Sequence, residues 1–178
     1  MEPIVPTPIR VQQLGNDGVT LMGSPTTILD NEGQSDQGLI EAPDLQRVGD
    51  TWYLFFSANC YTTENYNVNY ATASSITGPY TRAARPLFQT GDFGLVAPGG
   101  ADLDHDGRHM VFHARQGDNG DRAMHTALVN FDGTTVSANR LSEDQSSGNN
   151  SGSNNSASNN SGANNSNSGN SGGPATYY

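Results

Sequence analysis

The chain has 178 residues, with 8 basic and 18 acidic side chains, a net charge of −10 and a pI near 4.5. This acidic character argues against binding to nucleic acid or to an anionic membrane surface, because both attract basic proteins. The sequence contains no apolar run of about 18 residues and no basic and apolar leader at its start, so we expect neither a spanning helix nor a signal peptide. The single cysteine, Cys60, excludes an intrachain disulfide and a multi-cysteine zinc site.

Short β-type segments separated by turn signals recur along the chain, and helical periodicity is nearly absent. The first group contains PIRVQQL, the turn NDG, VTLMG and PTTIL. The second contains DLQRV, the turn GD, TWYLFFSA and YNVNYATA. The third contains GGADLD, the turn HDG, RHMVFHA and RAMHTALVNFDG. The pattern predicts two antiparallel triplets of strands, preceded by the outer strands of another sheet.

The second and third groups repeat the same order of strand, turn, aromatic strand, loop and strand. They also open in a similar way, with Glu41-Ala42-Pro43-Asp44-Leu45 in one and Ala97-Pro98-Gly99-Gly100-Ala101-Asp102-Leu103 in the other. Repeated small meandering sheets favour a β-propeller, while a β-sandwich is an alternative that the strand count does not exclude. We therefore predict an all-β domain over residues 1–145.

The C-terminal segment 146–178 has a different composition. Residues 146–173 contain only Ser, Gly, Asn and Ala, which cannot bury enough apolar surface to offset the entropy lost on ordering. We therefore predict a disordered, linker-like tail. It carries Asn-x-Ser acceptors at Asn149, Asn154, Asn159 and Asn164. These would be glycosylation sites in a protein secreted by a eukaryotic route, although a polar linker also produces them by composition alone.

Glu41 has an unusual setting, because it lies between Ile40 and the Ala42-Pro43 pair. Pro43 has a fixed φ and favours an extended conformation at Ala42, so we expect the carboxyl group to be presented from a stiff strand entry. A carboxyl group at an apolar rim resists ionisation and can act as a general acid. A glutamate at a strand end that only bonds the neighbouring backbone remains the simpler interpretation of the residues alone.

Other side chains are candidates for contact with a ligand. In MVFHA, strand alternation places His113 opposite to Phe112, where it either lines a site or packs between sheets. Asn59 and Tyr61 follow the aromatic strand, at the end where pocket residues tend to lie. The aromatic residues of that strand, from Trp52 to Phe56, are expected to fill the core.

The segment DLDHDG supplies the first half of a calcium-binding loop. The twelfth position of that loop is a histidine rather than the bidentate glutamate that calcium requires. An Asp-Gly hairpin turn is therefore the simpler interpretation. We expect no metal and no cofactor.

The segment GLIEAPDLQRVGDTWYLFFSANCYTTENYNVNYATASSITGPYT resembles the central part of glycoside hydrolase family 43 proteins. The resemblance lies in Glu41-Ala42-Pro43, in GDTWYLFFSAN and in YNVNYATASSITGPY, in that order. PGGADLDHDGRHMVFHA resembles the blade that follows, and PIRVQQL to PTTIL resembles the strands that precede the family's catalytic glutamate. Together these segments cover about residues 5–137.

The resemblance implies an inverting glycosidase of the arabinanase, arabinofuranosidase or β-xylosidase type on a five-bladed propeller. Glu41 matches the general acid, and Asn59, Tyr61 and His113 are the candidate sugar contacts. The expected partner is a plant cell-wall polysaccharide or oligosaccharide that contains arabinose or xylose. No partner of nucleic acid or membrane is expected, and the full-length product should be extracellular.

The chain departs from the family pattern before Glu41. The family places an aspartate base on the first blade and a second aspartate on the second blade, and Asp17, Asp30 and Asp36 match neither motif. The resemblance thus implies the C-terminal part of the propeller only, about two to two-and-a-half blades that keep the acid and lack the base. The isolated chain should be weakly active or inactive. The alternative is a non-catalytic carbohydrate-binding or interaction remnant of a propeller.

Overall fold

The computed structural model describes residue 5 and residues 7–117 and 120–140. Within these ranges the chain is all-β, as predicted, with ten strands and two short 3₁₀ turns at Gly33–Asp36 and Asp92–Gly94. No helix in the described part has the length and apolar character needed to cross a membrane. The predicted tail at 146–178 and the boundary at 145 lie outside the described residues.

The ten strands form three antiparallel sheets in which the strands follow chain order. The first sheet consists of β1 (Ile9–Leu14) and β2 (Leu21–Leu29). The second consists of β3 (Ile40–Val48), β4 (Thr51–Ala58), β5 (Asn67–Ala73) and β6 (Thr81–Arg82). The third consists of β7 (Gly99–Leu103), β8 (His109–Arg115), β9 (Arg122–Asp132) and β10 (Thr135–Arg140).

The strand content differs from the sequence prediction in two respects. Each predicted triplet is a sheet of four strands, since the two-residue β6 and the polar β10 have too weak a pattern to be recognised. The segments VTLMG and PTTIL are one strand, β2, rather than two. Pro25 is accommodated there because the register with β1 is irregular between Val11 and Gln13, so no regular ladder bond is lost.

The second sheet lies between the other two and buries both of its faces. On β4, Tyr53 and Phe55 belong to the cluster shared with the third sheet, while Leu54 and Phe56 belong to the cluster shared with the first. This alternation follows from the two-residue period of a strand. The predicted aromatic packing is confirmed for the three aromatic residues from Tyr53 to Phe56, whereas Trp52 is half-buried beneath the Arg47 guanidinium.

A β-bulge interrupts β3 immediately after Glu41. Glu41 pairs with Ser57 and Asp44 pairs with Phe55, so two residues of β3 lie opposite one residue of β4. The extra residue requires a left-handed backbone, and Ala42 adopts φ 50°. The prediction of an extended Ala42 was therefore wrong, because the geometry of the bulge overrides the preference of a residue before proline.

The third sheet contains the same bulge at the same place. Gly99 pairs with His113 and Asp102 pairs with Val111, and Gly100 takes the left-handed conformation with φ 61°. The sequence repetition that opens the two groups is thus a repetition of backbone geometry.

Hydrogen bonds from backbone amides of β7 to side chains of the second sheet connect the second and third sheets near the two bulges. Asp44 Oδ2 accepts a bond from the Leu103 amide at 2.9 Å, and Gln46 Nε2 donates to Asp44 Oδ1 at 3.0 Å. The buried Ser57 hydroxyl accepts a bond from the Gly100 amide at 2.8 Å. Burial raises the pKa of Asp44 above its ordinary value.

Asp36 forms a buried ion pair that holds the segment before β3. Its two carboxylate oxygens accept bonds from Arg82 Nη1 and Nη2 at 3.1 and 2.8 Å, and Arg82 lies 4.9 Å from the centre of the Phe56 ring. The side chains of Asp36 and Arg82 are 7% and 14% exposed. Asp36 therefore has a structural role, whereas Asp17 caps a turn through the amides of Val19 and Thr20.

We predict that Asp36→Ala lowers the free energy of unfolding by about 3–5 kcal/mol, because it leaves the largely buried Arg82 charge with only a 3.5 Å contact to the exposed Glu32 carboxylate and a bond to the Asp30 carbonyl. Asp50→Ala is the matched control, since it removes the exposed Asp50–Arg47 pair and should cost about 1 kcal/mol or less. Urea unfolding of both variants measures the difference. Equal losses would contradict a structural role for the Asp36 pair.

A second prediction concerns the pH dependence of stability. Because the folded-state pKa of Asp44 is raised above 3.8, its contribution is complete below that pH and is lost as the pH rises through the folded value. An asparagine side chain does not titrate, so the stability of the Asp44→Asn variant relative to the unmodified chain should increase from about pH 4 towards neutrality. A series of urea unfolding curves tests this.

Asp106→Asn is the control, because its effect on stability should change with pH in the direction opposite to that of Asp44→Asn. Bonds from the backbone and side chain of His109 and from the Arg108 amide lower the pKa of Asp106 to about 2. Its contribution is present above 3.8 and is lost as the pH falls towards 2. Parallel pH trends for the two variants would refute the assignment for Asp44.

Candidate active site

Glu41 is half-buried at the start of β3, beside the end of β4. The Tyr66 hydroxyl donates a hydrogen bond to Glu41 Oε1 at 2.9 Å. Tyr66 is 2% exposed, and burial raises the pKa of its phenol, which keeps the hydroxyl protonated as a donor at neutral pH. The carboxyl group is therefore bonded by a buried side chain from the segment before β5 rather than by the neighbouring backbone alone, and its role as a general acid stays a prediction.

Gly99 provides the space in which the Tyr66 ring lies. A Cβ atom at Gly99 would be 1.8 Å from Tyr66 Cε1, far inside any allowed contact. Gly99 occupies the same position in the bulge of the third sheet that Glu41 occupies in the second. The absence of a side chain on β7 thus allows a tyrosine to reach the carboxyl group on β3.

His113 stacks on the Tyr66 ring, with 6.2 Å between ring centres and an angle of 17° between the planes. Arg122 Nε donates to His113 Nδ1 at 2.5 Å. Because a guanidinium only donates, Nδ1 is the acceptor and the imidazole proton lies on Nε2. Burial and the Arg122 charge lower the pKa of His113, so the ring is neutral at neutral pH.

Arg122 brings a positive charge into this cluster. Its guanidinium lies 5.3 Å from the centre of the Tyr66 ring, and Nη2 donates to the carbonyl oxygens of Ala97 and His113. Burial lowers the pKa of Arg122, although a guanidinium remains charged throughout the physiological range. Glu41, Tyr66, His113 and Arg122 form one connected polar cluster, which we call the acid cluster.

The structure joins the side chains of two of the four predicted site residues, while Tyr61 meets the acid cluster only through its backbone carbonyl, which accepts a bond from Arg122 Nη1 at 3.5 Å. Glu41 and His113 meet through Tyr66. Asn59 is 5% exposed and lines a separate cavity, and Tyr61 is 57% exposed. No hydrogen bond or ring contact in the described part of the chain links either side chain to Glu41. A role for them in sugar binding stays a prediction.

Tyr66 and Arg122 were not found from the sequence, although each is a member of the acid cluster. Tyr66 directly precedes β5 and Arg122 begins β9, and neither belongs to a short motif that marks a site. Their proximity to Glu41 follows from the pairing of β3 with β4 and from the packing of the third sheet on the second. The sequence contains one indication of the site, which is the pair Gly99-Gly100. In the third sheet these residues occupy the positions that Glu41 and Ala42 occupy in the second.

The acidic segment at residues 102–107 forms the expected hairpin turn. Asp106 accepts bonds from the amides of Arg108 and His109, and the Gly107 amide bonds the Asp104 carbonyl. Among the described residues, no three His, Cys, Asp or Glu side chains are grouped so that they could hold a metal ion.

A family model decides the assignment of the chain. The model of glycosyl hydrolases family 43 matches residues 5–134. The chain belongs to glycosyl hydrolase family 43. This membership confirms the resemblance in Glu41-Ala42-Pro43 and in the segments that follow it.

Similar proteins in the family include both sequences and solved structures. A β-D-galactofuranosidase of Aspergillus niger is 27% identical over 113 residues, which are 59% of this chain and 30% of the relative. An endo-1,4-β-xylanase structure from Bacteroides thetaiotaomicron has a TM-score of 0.63 at 24% identity, over 73% of this chain and 49% of that chain. An exo-1,5-α-L-arabinanase structure from a bovine ruminal metagenomic library has a TM-score of 0.62 at 24% identity, over 74% and 48%.

This family 43 chain spans less than half the length of these similar proteins. The structural similarity at this level of identity shows a shared fold.

We predict that Gly99→Ala displaces the Tyr66 ring and lowers the free energy of unfolding by about 1–3 kcal/mol or more, because the core is overpacked. Gly15→Ala is the matched control and should cost much less, since its closest contact, 3.2 Å to Asp17 Oδ1, is relieved by a shift of a few tenths of an ångström. In a Tyr66→Ala background, Gly99→Ala should cost much less. An undiminished cost there would show that the ring is not what Gly99 accommodates.

Proposed function

We propose that this chain carries the general acid of an inverting glycosidase, on two to two-and-a-half blades of an incomplete five-bladed propeller. The observation that supports the proposal is the bond from Tyr66 to Glu41, the residue that the resemblance in Glu41-Ala42-Pro43 assigns as the general acid. A carboxyl group held in one orientation by a buried donor is suited to deliver a proton to a positioned substrate.

The Tyr66 bond assigns different roles to the two oxygens of Glu41. Because Tyr66 donates to Oε1, that oxygen is an acceptor, and the acidic proton of the neutral carboxyl group belongs on Oε2. In the proposed reaction Oε2 gives this proton to the departing glycosidic oxygen as the C–O bond breaks. The resulting carboxylate keeps the Tyr66 bond, which stabilises its charge.

An inverting reaction also needs a carboxylate base roughly 6.5–9.5 Å from the acid, so that a water molecule fits between them. The resemblance gives this chain the acid and assigns the base to none of its residues. The Asp36 carboxylate forms an ion pair with Arg82, and the Asp44 carboxylate accepts a bond from the Leu103 amide. We therefore propose that the isolated chain hydrolyses glycosides slowly, because nothing activates the water.

The proposed substrates are arabinose- or xylose-containing polysaccharides of plant cell walls. Family membership and the names of the xylanase and the arabinanase support this class. The name of the Aspergillus niger relative adds galactofuranosides to the set of compounds worth testing. The full-length product would act outside the cell, where such polymers are found.

We predict that the full chain cleaves arabino- or xylo-oligosaccharides slowly and that sodium azide accelerates cleavage, because azide attacks the sugar without a base. The product would be a glycosyl azide, with the proton from Glu41 transferred to the leaving group. Glu41→Gln should reduce both rates at least about 100-fold, the lower range of general acid catalysis. Chromatography of the products measures cleavage.

Asp50→Asn is the control for this experiment. It removes one carboxylate from the turn at the opposite end of β3 and should leave cleavage unchanged. Cleavage by Glu41→Gln at the rate of the unmodified chain would refute the assignment of the acid. Sugar binding without cleavage, even with azide, would favour the non-catalytic carbohydrate-binding alternative.

A further inference from the structure

We propose that a second cavity, separate from the acid cluster, binds a neutral glycosyl residue through side-chain amides. The cavity has a volume of about 540 Å³ and lies between the segment before β3, the β4–β5 loop and the segment around residue 89. Six carboxamide side chains line it. They are Gln34, Gln37, Asn59, Asn65, Asn67 and Gln89. We call it the amide cavity.

The amide cavity has unused hydrogen-bonding capacity. Asn59 is 5% exposed, and its carboxamide makes no hydrogen bond to the described part of the chain. Every fully buried side-chain N or O atom in that part has a partner, so the Asn59 amide must open onto the cavity. A largely buried amide is costly without a partner, which indicates a ligand or a solvent molecule there. The carboxamides of Gln34, Asn65 and Gln89 are likewise unbonded within the described residues.

The walls of the amide cavity are fixed rather than loose. Asn59 directly follows β4 and has the left-handed conformation with φ 70°. Its backbone N–H, not its side chain, donates to the Leu39 carbonyl at 3.1 Å. Gln37 Oε1 accepts bonds from the Cys60 amide at 3.3 Å and from the Thr63 hydroxyl at 3.4 Å. These bonds hold the Gln37 oxygen towards the loop, so its NH₂ group remains available as a donor.

The opposite wall is also bonded to the framework. The Thr90 hydroxyl donates to the Glu64 carbonyl at 2.5 Å and accepts a bond from the Ala97 amide at 2.8 Å. Because positions on both sides of the cavity are tied to neighbouring segments, the backbone that frames the cavity is formed before a ligand arrives.

The chemistry of the lining selects the class of ligand. No lysine or arginine lines the cavity, so an anion would find no compensating charge, and Glu64 contributes the one carboxylate. A single carboxylate is also too few for a calcium site, which takes about six to eight oxygen ligands. The remaining lining groups are amides and hydroxyls, which donate and accept hydrogen bonds as sugar hydroxyls do.

The size and place of the cavity suggest which part of a polysaccharide it holds. A volume of this order accommodates a small-molecule ligand, here about one or two glycosyl units. Glu41 pairs with Ser57 on β4, so Asn59 lies two residues beyond the partner of the acid, and Gln37 lies four residues before Glu41. The assignment to a plant polysaccharide rests on the proposed function, while the selection of a neutral sugar rests on the lining alone.

The test measures binding to the full 178-residue chain with the substitution Glu41→Gln, which prevents turnover. Arabinotriose and xylotriose are titrated, and amide chemical shifts are followed by NMR. We expect saturable shifts at Asn59, Asn65 and Gln89, and Asn65→Ala or Gln89→Ala should weaken binding about 3- to 10-fold each, the value of one neutral hydrogen bond. A trisaccharide of galacturonate should bind more weakly because of Glu64.

Asn130→Ala is the matched control, because Asn130 is an exposed amide on β9 and outside the cavity. Asn59→Gly adds an independent variant, since glycine tolerates the left-handed backbone and removes only the carboxamide. Absence of saturable binding, or equal affinity of Asn65→Ala, Gln89→Ala and Asn130→Ala, would overturn the proposal. Binding that depends on these amides, in a chain that fails the azide test, would refute the proposed catalysis and leave the amide cavity established.

Discussion

The fit of the Tyr66 ring over Gly99 is the constraint on which the acid cluster depends. The ring is buried at a point where a side chain on β7 would collide with it, and its hydroxyl then reaches Glu41. The same ring carries His113 on one face and lies near the Arg122 charge. Displacement of this ring would therefore release the carboxyl group and remove the surface against which the imidazole and the guanidinium pack.

Two hydrogen bonds between sheets maintain that fit. The Gly100 amide bonds Ser57, and the Leu103 amide bonds Asp44, so both ends of the bulged segment of β7 are attached to the second sheet. These bonds use backbone groups that the bulge withdraws from the regular ladder. The irregularity that presents Glu41 is thus also the means by which neighbouring sheets are aligned.

Much of the fold could be predicted from the sequence, because strand alternation and turn residues are local signals. Glu41 was recognised through its motif, and the opposite orientations of Phe112 and His113 followed from a period of two. Tyr66 and Arg122 could not be found in this way, since their importance comes from pairings between distant strands. Local preference also failed at Ala42, where the bulge imposes a left-handed backbone.

The equivalence of Glu41 and Gly99 within the repeated bulge has a consequence for how such repeats diverge. The two sheets share this backbone and are complementary at this position, since one carries a carboxylate and the other a glycine that leaves room for the Tyr66 ring. A carboxylate introduced at Gly99 would remove the tyrosine that orients the first, so this pair of sheets can hold a single oriented acid. A glycine in one repeat can therefore be as informative as an acid in the next, because it can mark the place of a side chain that supports that acid.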